Sequence, residues 1–360
     1  MTQQNNIIII TDSRTHAEIE AFYPMAAHLS QQSSVASVLV ADRALMDNYD
    51  FFEGHNPNVS QLVVREVDGD YNYYNGEAQD KYPLKTVGID EFDTIWTRMD
   101  HPVTDEFLAY LRDTFQNKHG KFVCHDPDGI MKTASKRFLA EIKDDMGDLM
   151  PDVKLCETAR DVQAFQKAHP NGAVLKQLKS HGGKGVVRYN PNDPDNSDLN
   201  TQRDIEKFLE EAGPCLAMEF LQPEVQSDNR IIVMNGEIIG AIQRTPGKDG
   251  WQCNLSSGGK FEGTEVSERE HDIVRHLNPY MRENGIFIYG VDALLNDNGE
   301  RVLSEVNTAN VGGITPLEQV SGTPYTLFVA QDFAKAAQNR TLKVQTKPIA
   351  ERRLDKPAPN

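Results

Sequence analysis

The sequence predicts an α/β chain, and three patterns carry that reading. Residues 6–40 run strand, helix, strand, as Ile7–Ile10, an amphipathic stretch from Ala17 to Ser30, and Val35–Val40; a βαβ opening implies a parallel sheet. A second unit follows in Thr94–Thr97, Asp105–Asn117 and Phe122–Cys124. From Cys215 onward strands dominate, broken at Asn235-Gly236 and Asn298-Gly299. Asn-Gly favours a tight hairpin because both central residues take positive φ.

The remaining elements fall into place between these. Residues 48–90, rich in Asn, Asp, Tyr and Gly, read as long loops with short strands such as Leu62–Val64. The cluster Asp126-Pro127-Asp128-Gly129 reads as a turn and a domain boundary. Beyond it the pattern predicts helices over Thr133–Lys143, Ala159–Ala168 and Gln202–Ala212, with strands at Ala173–Lys176 and Val186–Tyr189. Strands follow at Leu216–Leu221, Arg230–Met234 and Glu237–Gln243, then helices over Glu265–Glu283 and Thr323–Gln338. This divides the chain into units of 1–127, 128–213 and 214–340, with residues 341–360 as an aperiodic tail.

Composition excludes several classes. The chain has 360 residues, enough for two or three domains, and a net charge of −17, which argues against sequence-independent nucleic-acid binding. No apolar run approaches the ~20 residues of a membrane span, and the start, with no basic segment, is not a signal peptide. Cys124, Cys156, Cys215 and Cys253 are scattered and form no zinc pattern, so a reducing cytoplasm is the expected compartment.

The stretch Gly290–Asn307 is the most informative. A two-residue turn centred on Asn298-Gly299 sets Asp292 directly opposite Glu305, and strand alternation puts Asn307 on the same face. Opposed Cβ atoms lie about 4.5–5.5 Å apart, so two carboxylates there repel unless a cation separates them. Hard oxygen donors in that arrangement suit magnesium. An acidic, solvated hairpin is the competing reading. The apolar run Ile286–Val291 leading into Asp292 weighs against it, since a buried carboxylate without a partner is costly.

Between two expected strands lies Leu178-Lys179-Ser180-His181-Gly182-Gly183-Lys184-Gly185, where glycines let backbone N–H groups approach phosphate oxygens. The spacing is neither a Walker loop nor a Rossmann fingerprint, and no GxSxG nucleophile elbow exists in the chain. A surface hairpin turn explains the loop equally well in isolation. Lys176 closes the strand before it, where a phosphate role competes with a plain structural one; Lys136, alone, fits a solvated helix face.

In order, these pieces resemble the ATP-grasp fold, and within it the bacterial glutathione synthetases. The resemblance covers roughly residues 90–335 and is sharpest at Trp96-Thr97-Arg98-Met99-Asp100, Ala173–Arg188, Met218–Arg230 and Gly290–Asn307. It implies an N-terminal substrate domain, a small lid unit and a central unit carrying the hairpin. It also implies that Lys136, Lys176 and the glycines Gly182, Gly183 and Gly185 meet ATP phosphates. By the same resemblance Glu219, Phe220 and Leu221 meet adenine, Asp228 meets ribose, and Asp292, Glu305 and Asn307 hold one or two Mg2+ ions, with Mn2+ as a substitute. Arg230, Arg244 and Asn254 match residues near the reacting groups.

The implied chemistry is an ADP-forming carboxylate–amine ligation through an acyl phosphate, on amino-acid or dipeptide substrates. The reading places the enzyme off nucleic acids and membranes, as a dimer or tetramer. Two segments depart from the family: Gln252 stands where an arginine is usual, and Thr308-Ala309-Asn310-Val311-Gly312-Gly313-Ile314 replaces a Ser/Thr-Pro form. Both bear on substrate identity. A related ligase with another substrate pair, and a non-catalytic ATP-binding protein, are the alternatives; the second predicts loss of charged site residues, which are all present here.

Overall fold

The computed structural model describes residues 4–73, 81–100, 103–180, 183–221, 227–246 and 260–342. Its first sheet has six strands: β1 (Asn5–Thr11), β2 (Val35–Asp42), β3 (Gln61–Val67), β4 (Leu84–Gly88), β5 (Thr94–Arg98) and β6 (Phe122–Cys124), in the order β4-β3-β2-β1-β5-β6. The β2-β1-β5-β6 part is parallel, as expected from the βαβ pattern. The four-isoleucine run of β1 is explained by burial on both faces: Ile8 and Ile10 enter one core cluster, Ile7 and Ile9 another. A central parallel strand has no solvent face to mark with polar residues.

Three expectations here need correction. The first helix spans Phe22–Ser30 rather than starting at Ala17. Pro24 lacks an amide hydrogen and is tolerated only in a first helical turn, so it pins the start just before itself. Residues 48–90 carry short strands between loops as expected, but the strand at Leu62–Val64 is longer, Gln61–Val67, and pairs antiparallel with β4 to extend the sheet beyond β2. The 126–129 cluster caps a helix instead of making a free turn. Asp126 accepts hydrogen bonds from the Asp128 and Gly129 amides at the start of helix Pro127–Thr133.

The single helix expected over Thr133–Lys143 is two, Pro127–Thr133 and Arg137–Met146. At the break the Lys136 amide donates to the Leu178 carbonyl (2.8 Å), which trades a helical bond for a tether to the glycine-loop segment.

A second, antiparallel sheet holds β7 (Val153–Cys156), β8 (Ala173–Gln177), β9 (Val186–Tyr189) and β10 (Cys215–Glu219), in the order β7-β10-β8-β9. The short edge strand β7 was not predicted. The third sheet is antiparallel with the order β13-β12-β11-β14-β15, from β11 (Asp228–Met234), β12 (Glu237–Thr245), β13 (Lys260–Thr264), β14 (Ile288–Leu295) and β15 (Arg301–Asn307). The helix before β14 starts at Glu268, where Ser267 and Glu270 form a capping box.

The first and third sheets share both large cores. Helix Tyr325–Asn339 lies in one of them: Phe333 stacks on Trp96 with centroids 4.0 Å apart and also meets Phe287. The C-terminal part of the chain thus completes the packing of the N-terminal sheet. Among the described residues no helix is long and apolar enough to cross a membrane.

Candidate active site

The hairpin pairs Asp292 with Glu305, as the sequence predicts, but by a different route. The connection is a three-residue loop, not a two-residue turn: Asn296 N–H donates to the Glu300 carbonyl, and of Asn298 and Gly299 only the glycine has positive φ (78°). Nearer the turn, Ala293 opposes Leu303 and Leu295 opposes Arg301. A bulge at Ser304 then shifts the register by one residue and brings Glu305 opposite Asp292 and Asn307 opposite Gly290.

The buried Asp292 carboxylate has cationic partners. Arg230 Nε and Arg244 Nη2 (3.1 Å) meet Oδ1, and Arg230 Nη2 donates to Oδ2 at 2.8 Å. Burial raises the carboxyl pKa, yet the two guanidiniums outweigh it and hold Asp292 well below the usual carboxylate range. Arg244 also grips both oxygens of Asp228 at 2.6 Å. Register explains this: Asp228 opposes Arg244 across β11–β12, and Arg230 opposes Asp292 across β11–β14. Asn307 Nδ2 reaches Asp292 Oδ2 at 3.5 Å.

Both lysines converge on the other strand of the hairpin. Lys136 Nζ donates to the Ser180 carbonyl (2.8 Å) and pairs with Glu305 Oε1 at 3.2 Å. It is 6% exposed, so the solvated-helix reading fails. Lys176, on β8, donates to the carbonyl of the bulge residue Ser304 at 3.0 Å. Burial pushes its pKa down to about 8; Glu305 pulls it up and Lys136 pushes it down.

Gly183 and Gly185 have positive φ (77° and 65°), and a Cβ on Gly185 would lie 2.3 Å from Gln177 Oε1. The loop returns to β8 through the Gln177 amide and the Gly185 carbonyl at 2.8 Å. Gly182, Gln252, Asn254 and the remainder of the 247–259 segment lie outside the described residues. In the segment expected to meet adenine, the Glu219 and Phe220 amides donate to Asp152 and Gly172 carbonyls, and the Arg188 guanidinium sits 3.9 Å over the Phe220 ring. The strand expected to reach Leu221 ends at Glu219.

Sequence reading missed the Ser304 bulge, the Arg188–Phe220 stack, and a cavity of about 30 Å³ whose walls include Asp100, Ser180, Glu305, Asn307 and Asn310. Nothing local marked Arg188 or the cavity, which gathers residues distant in sequence. Among the described residues no thiol is poised as a nucleophile: burial pushes Cys124 up, Cys156 up to about 11 and Cys215 up to about 12.

The donor set fits magnesium in kind, because Asp292, Glu305 and Asn307 all offer hard oxygens on one hairpin face. Both Asp292 oxygens accept from arginine here, so a metal ion would take over contacts now made by Arg230.

A four-stranded antiparallel sheet, a hairpin-bearing sheet and buried lysines where they meet define an ATP-dependent ligase of the ATP-grasp class. Solved structures agree on the fold: the D-cycloserine synthetase DcsG (15% identity, TM-score 0.63, covering 92% of this chain and 99% of that one) and a RiPP-associated ATP-grasp ligase of Chryseobacterium gregarium (14%, 0.59, 95% and 100%). The family model for the prokaryotic glutathione synthetase ATP-grasp domain matches residues 141–322. The glutathione synthetase of Bradyrhizobium diazoefficiens is 30% identical over 267 residues, 73% of this chain and 77% of that protein. That of Rhodopseudomonas palustris is 29% identical over 268 residues, 74% and 78%.

The chain belongs to the prokaryotic glutathione synthetase family and is an ADP-forming, ATP-dependent ligase.

Proposed function

We propose that the enzyme joins glycine to γ-glutamylcysteine, forming glutathione, ADP and phosphate. The observation that carries this is the convergence of Lys136, Lys176, Arg230 and Arg244 on the Asp292–Glu305 hairpin. That arrangement answers the charge of a transferring phosphoryl group, for which positioning and electrostatics supply most of the catalysis. Family membership favours this substrate pair.

The substrate carboxylate attacks the γ-phosphorus and ADP leaves, giving an acyl phosphate. The amine then attacks the carbonyl carbon, the C–N bond forms, the C–O bond to phosphate breaks and the amine sheds a proton. Lys136 and Lys176 hold the phosphates, and the backbone at Gly182, Gly183 and Gly185 covers them. The carbonyls of Glu219 and Phe220 and the backbone of Leu221 receive adenine. Asp228 serves ribose or, through its double contact, positions Arg244. Arg230, Arg244 and Asn254 meet the transferred phosphate and the acyl phosphate. Asp292, Glu305 and Asn307 hold one or two Mg2+ ions, replaceable by Mn2+, which supply charge neutralisation.

The division into a substrate domain (1–127), a lid (128–213), a central unit (214–340) and a tail belongs to the same proposal. So do a homodimer or tetramer and a cytoplasmic location. The deciding experiment is ADP release by the purified full chain across a panel of amino-acid and dipeptide pairs, with and without magnesium. Stimulation by γ-glutamylcysteine with glycine supports the substrate pair; turnover only with another pair overturns it in favour of a related ligase.

A further inference from the structure

The structure places a carboxylate and an unused acceptor together in a small cavity beside the Asp292–Glu305 hairpin. Asp100 follows the end of β5, and Asn310 lies in the 308–314 segment where the chain departs from its family. Asn310 Nδ2 donates to Asp100 Oδ1 at 2.7 Å, whereas Asn310 Oδ1 is buried and has no hydrogen-bond partner. Among the described residues, Asn310 is the only hydrogen-bond partner of the Asp100 side chain.

The local charge is out of balance. Arg98, buried at 2% exposure, donates Nη2 to the Val311 carbonyl at 3.3 Å, and its charge is felt by both Glu20 and Asp100. One guanidinium thus serves two carboxylates. Burial and the Asp100 charge raise the Glu20 pKa, with Arg98 opposing, as expected where negative charge is in excess. Asp100 is half-buried and shares its counter-charge, and a buried acceptor without a donor, as at Asn310, is costly. A cation bearing N–H groups satisfies both.

Size narrows the choice. At about 30 Å³ the cavity is on the scale of a polar substituent such as an ammonium group. Other parts of its wall are Glu305 and Asn307, the hairpin side of the reaction centre. Lys136 is nearby, but it is committed to Ser180 and Glu305.

We propose that Asp100 and Asn310 bind the ammonium group of a substrate, making Asn310 a specificity position in the departing loop. This rests on the ligase reading above. The ammonium comes either from the α-amino group of the carboxylate donor or from the amine acceptor, and the test separates the two. kcat/KM is measured for γ-glutamylcysteine and for glutarylcysteine, the same molecule without its α-amino group. In parallel, KM for glycine is compared with Ki for glycolate. Wild type, Asp100→Asn and Asn310→Ala are compared, with circular dichroism as the control for folding.

If the donor supplies the group, Asp100→Asn loses about 100-fold in kcat/KM for γ-glutamylcysteine while glutarylcysteine is unaffected. If the acceptor supplies it, KM for glycine rises while Ki for glycolate holds. Asn310→Ala moves the same ratio less. An equal fall for amino and des-amino compounds means a structural role and overturns the proposal, as does no change in either ratio. If wild type turns over a different pair, the substrate assignment fails, and the same amino/des-amino comparison on that pair decides the ammonium site. Absence of turnover with every pair overturns both readings.

Discussion

Lys176 donates its hydrogen bond to Ser304, the residue of β15 that has no partner across the hairpin. The bulge therefore does two things. It shifts Glu305 into line with Asp292, and it frees a carbonyl to hold a lysine at the junction of two sheets. Straightening the bulge with Ser304 kept in the ladder would set Ser304 opposite Asp292 and turn Glu305 to the other face of the strand.

That coupling makes Glu305 a sensitive probe. Glu305→Gln keeps the shape but removes the charge facing Lys136 and the proposed metal donor. Magnesium-dependent ADP release is expected to fall about 100-fold, with the magnesium requirement shifted to higher concentration. Turnover at the wild-type rate would remove the hairpin from the mechanism.

Lys176 gives a pH signature with a definite sign. Its folded-state pKa of about 8 lies below the ordinary 10.5. Between those values the unfolded chain keeps a proton that the folded chain sheds, so stability gains from this group as pH rises from about 8 to 10.5. Below pH 8 both states are protonated and the cost of the buried charge is carried in full. ATP needs the charged lysine, so its KM should climb above pH 8, approaching about tenfold per pH unit. Lys176→Met should raise KM throughout and flatten this profile, and an unchanged slope in the variant assigns the titration elsewhere.

Arg244 joins two buried carboxylates, Asp228 and Asp292. Arg244→Met strands Asp228 and leaves Asp292 to Arg230 alone, and chemical denaturation should show a loss of about 3–5 kcal/mol. Adding Asp228→Asn should recover part of it, because the orphaned charge is gone while Asp292 keeps Arg230. Denaturation midpoints that leave the single variant within ~0.5 kcal/mol of wild type would contradict the bridging role.

Gly185 combines left-handed backbone with close approach to Gln177. Gly185→Ala should cost about 1–2 kcal/mol and displace the loop, which raises KM for ATP more than for either amino substrate. A variant whose ATP affinity is intact would separate this loop from phosphate binding.

How much of this was legible depended on how local each cause was. Ala159–Ala168, Val186–Tyr189 and Gln202–Ala212 coincide with observed elements because their periodicity and Thr caps act within a few residues. The Asp292–Glu305 pairing was correct although the turn was not: the longer loop and the bulge offset one another. Strand β7 was missed because four residues on a sheet edge leave almost no periodic signal. The break at Lys136 was invisible for another reason. It is set by the Leu178 carbonyl, contributed by a segment some forty residues away. The arginines around Asp292 follow from strand register across three strands, which no linear pattern encodes.

The stack of Phe333 on Trp96, with Asn5 Nδ2 bonded to the Ala337 carbonyl, bears on how the protein is made. During translation the opening sheet emerges first, yet the helix that covers one of its apolar faces follows roughly two hundred residues after the sheet's last strand. At about 5–20 residues per second the nascent sheet waits for tens of seconds with that face uncovered. Chaperone demand should therefore be set by the distance between Trp96 and Phe333 along the chain, and a circular permutant that brings Tyr325–Asn339 ahead of β1 should fold with less help.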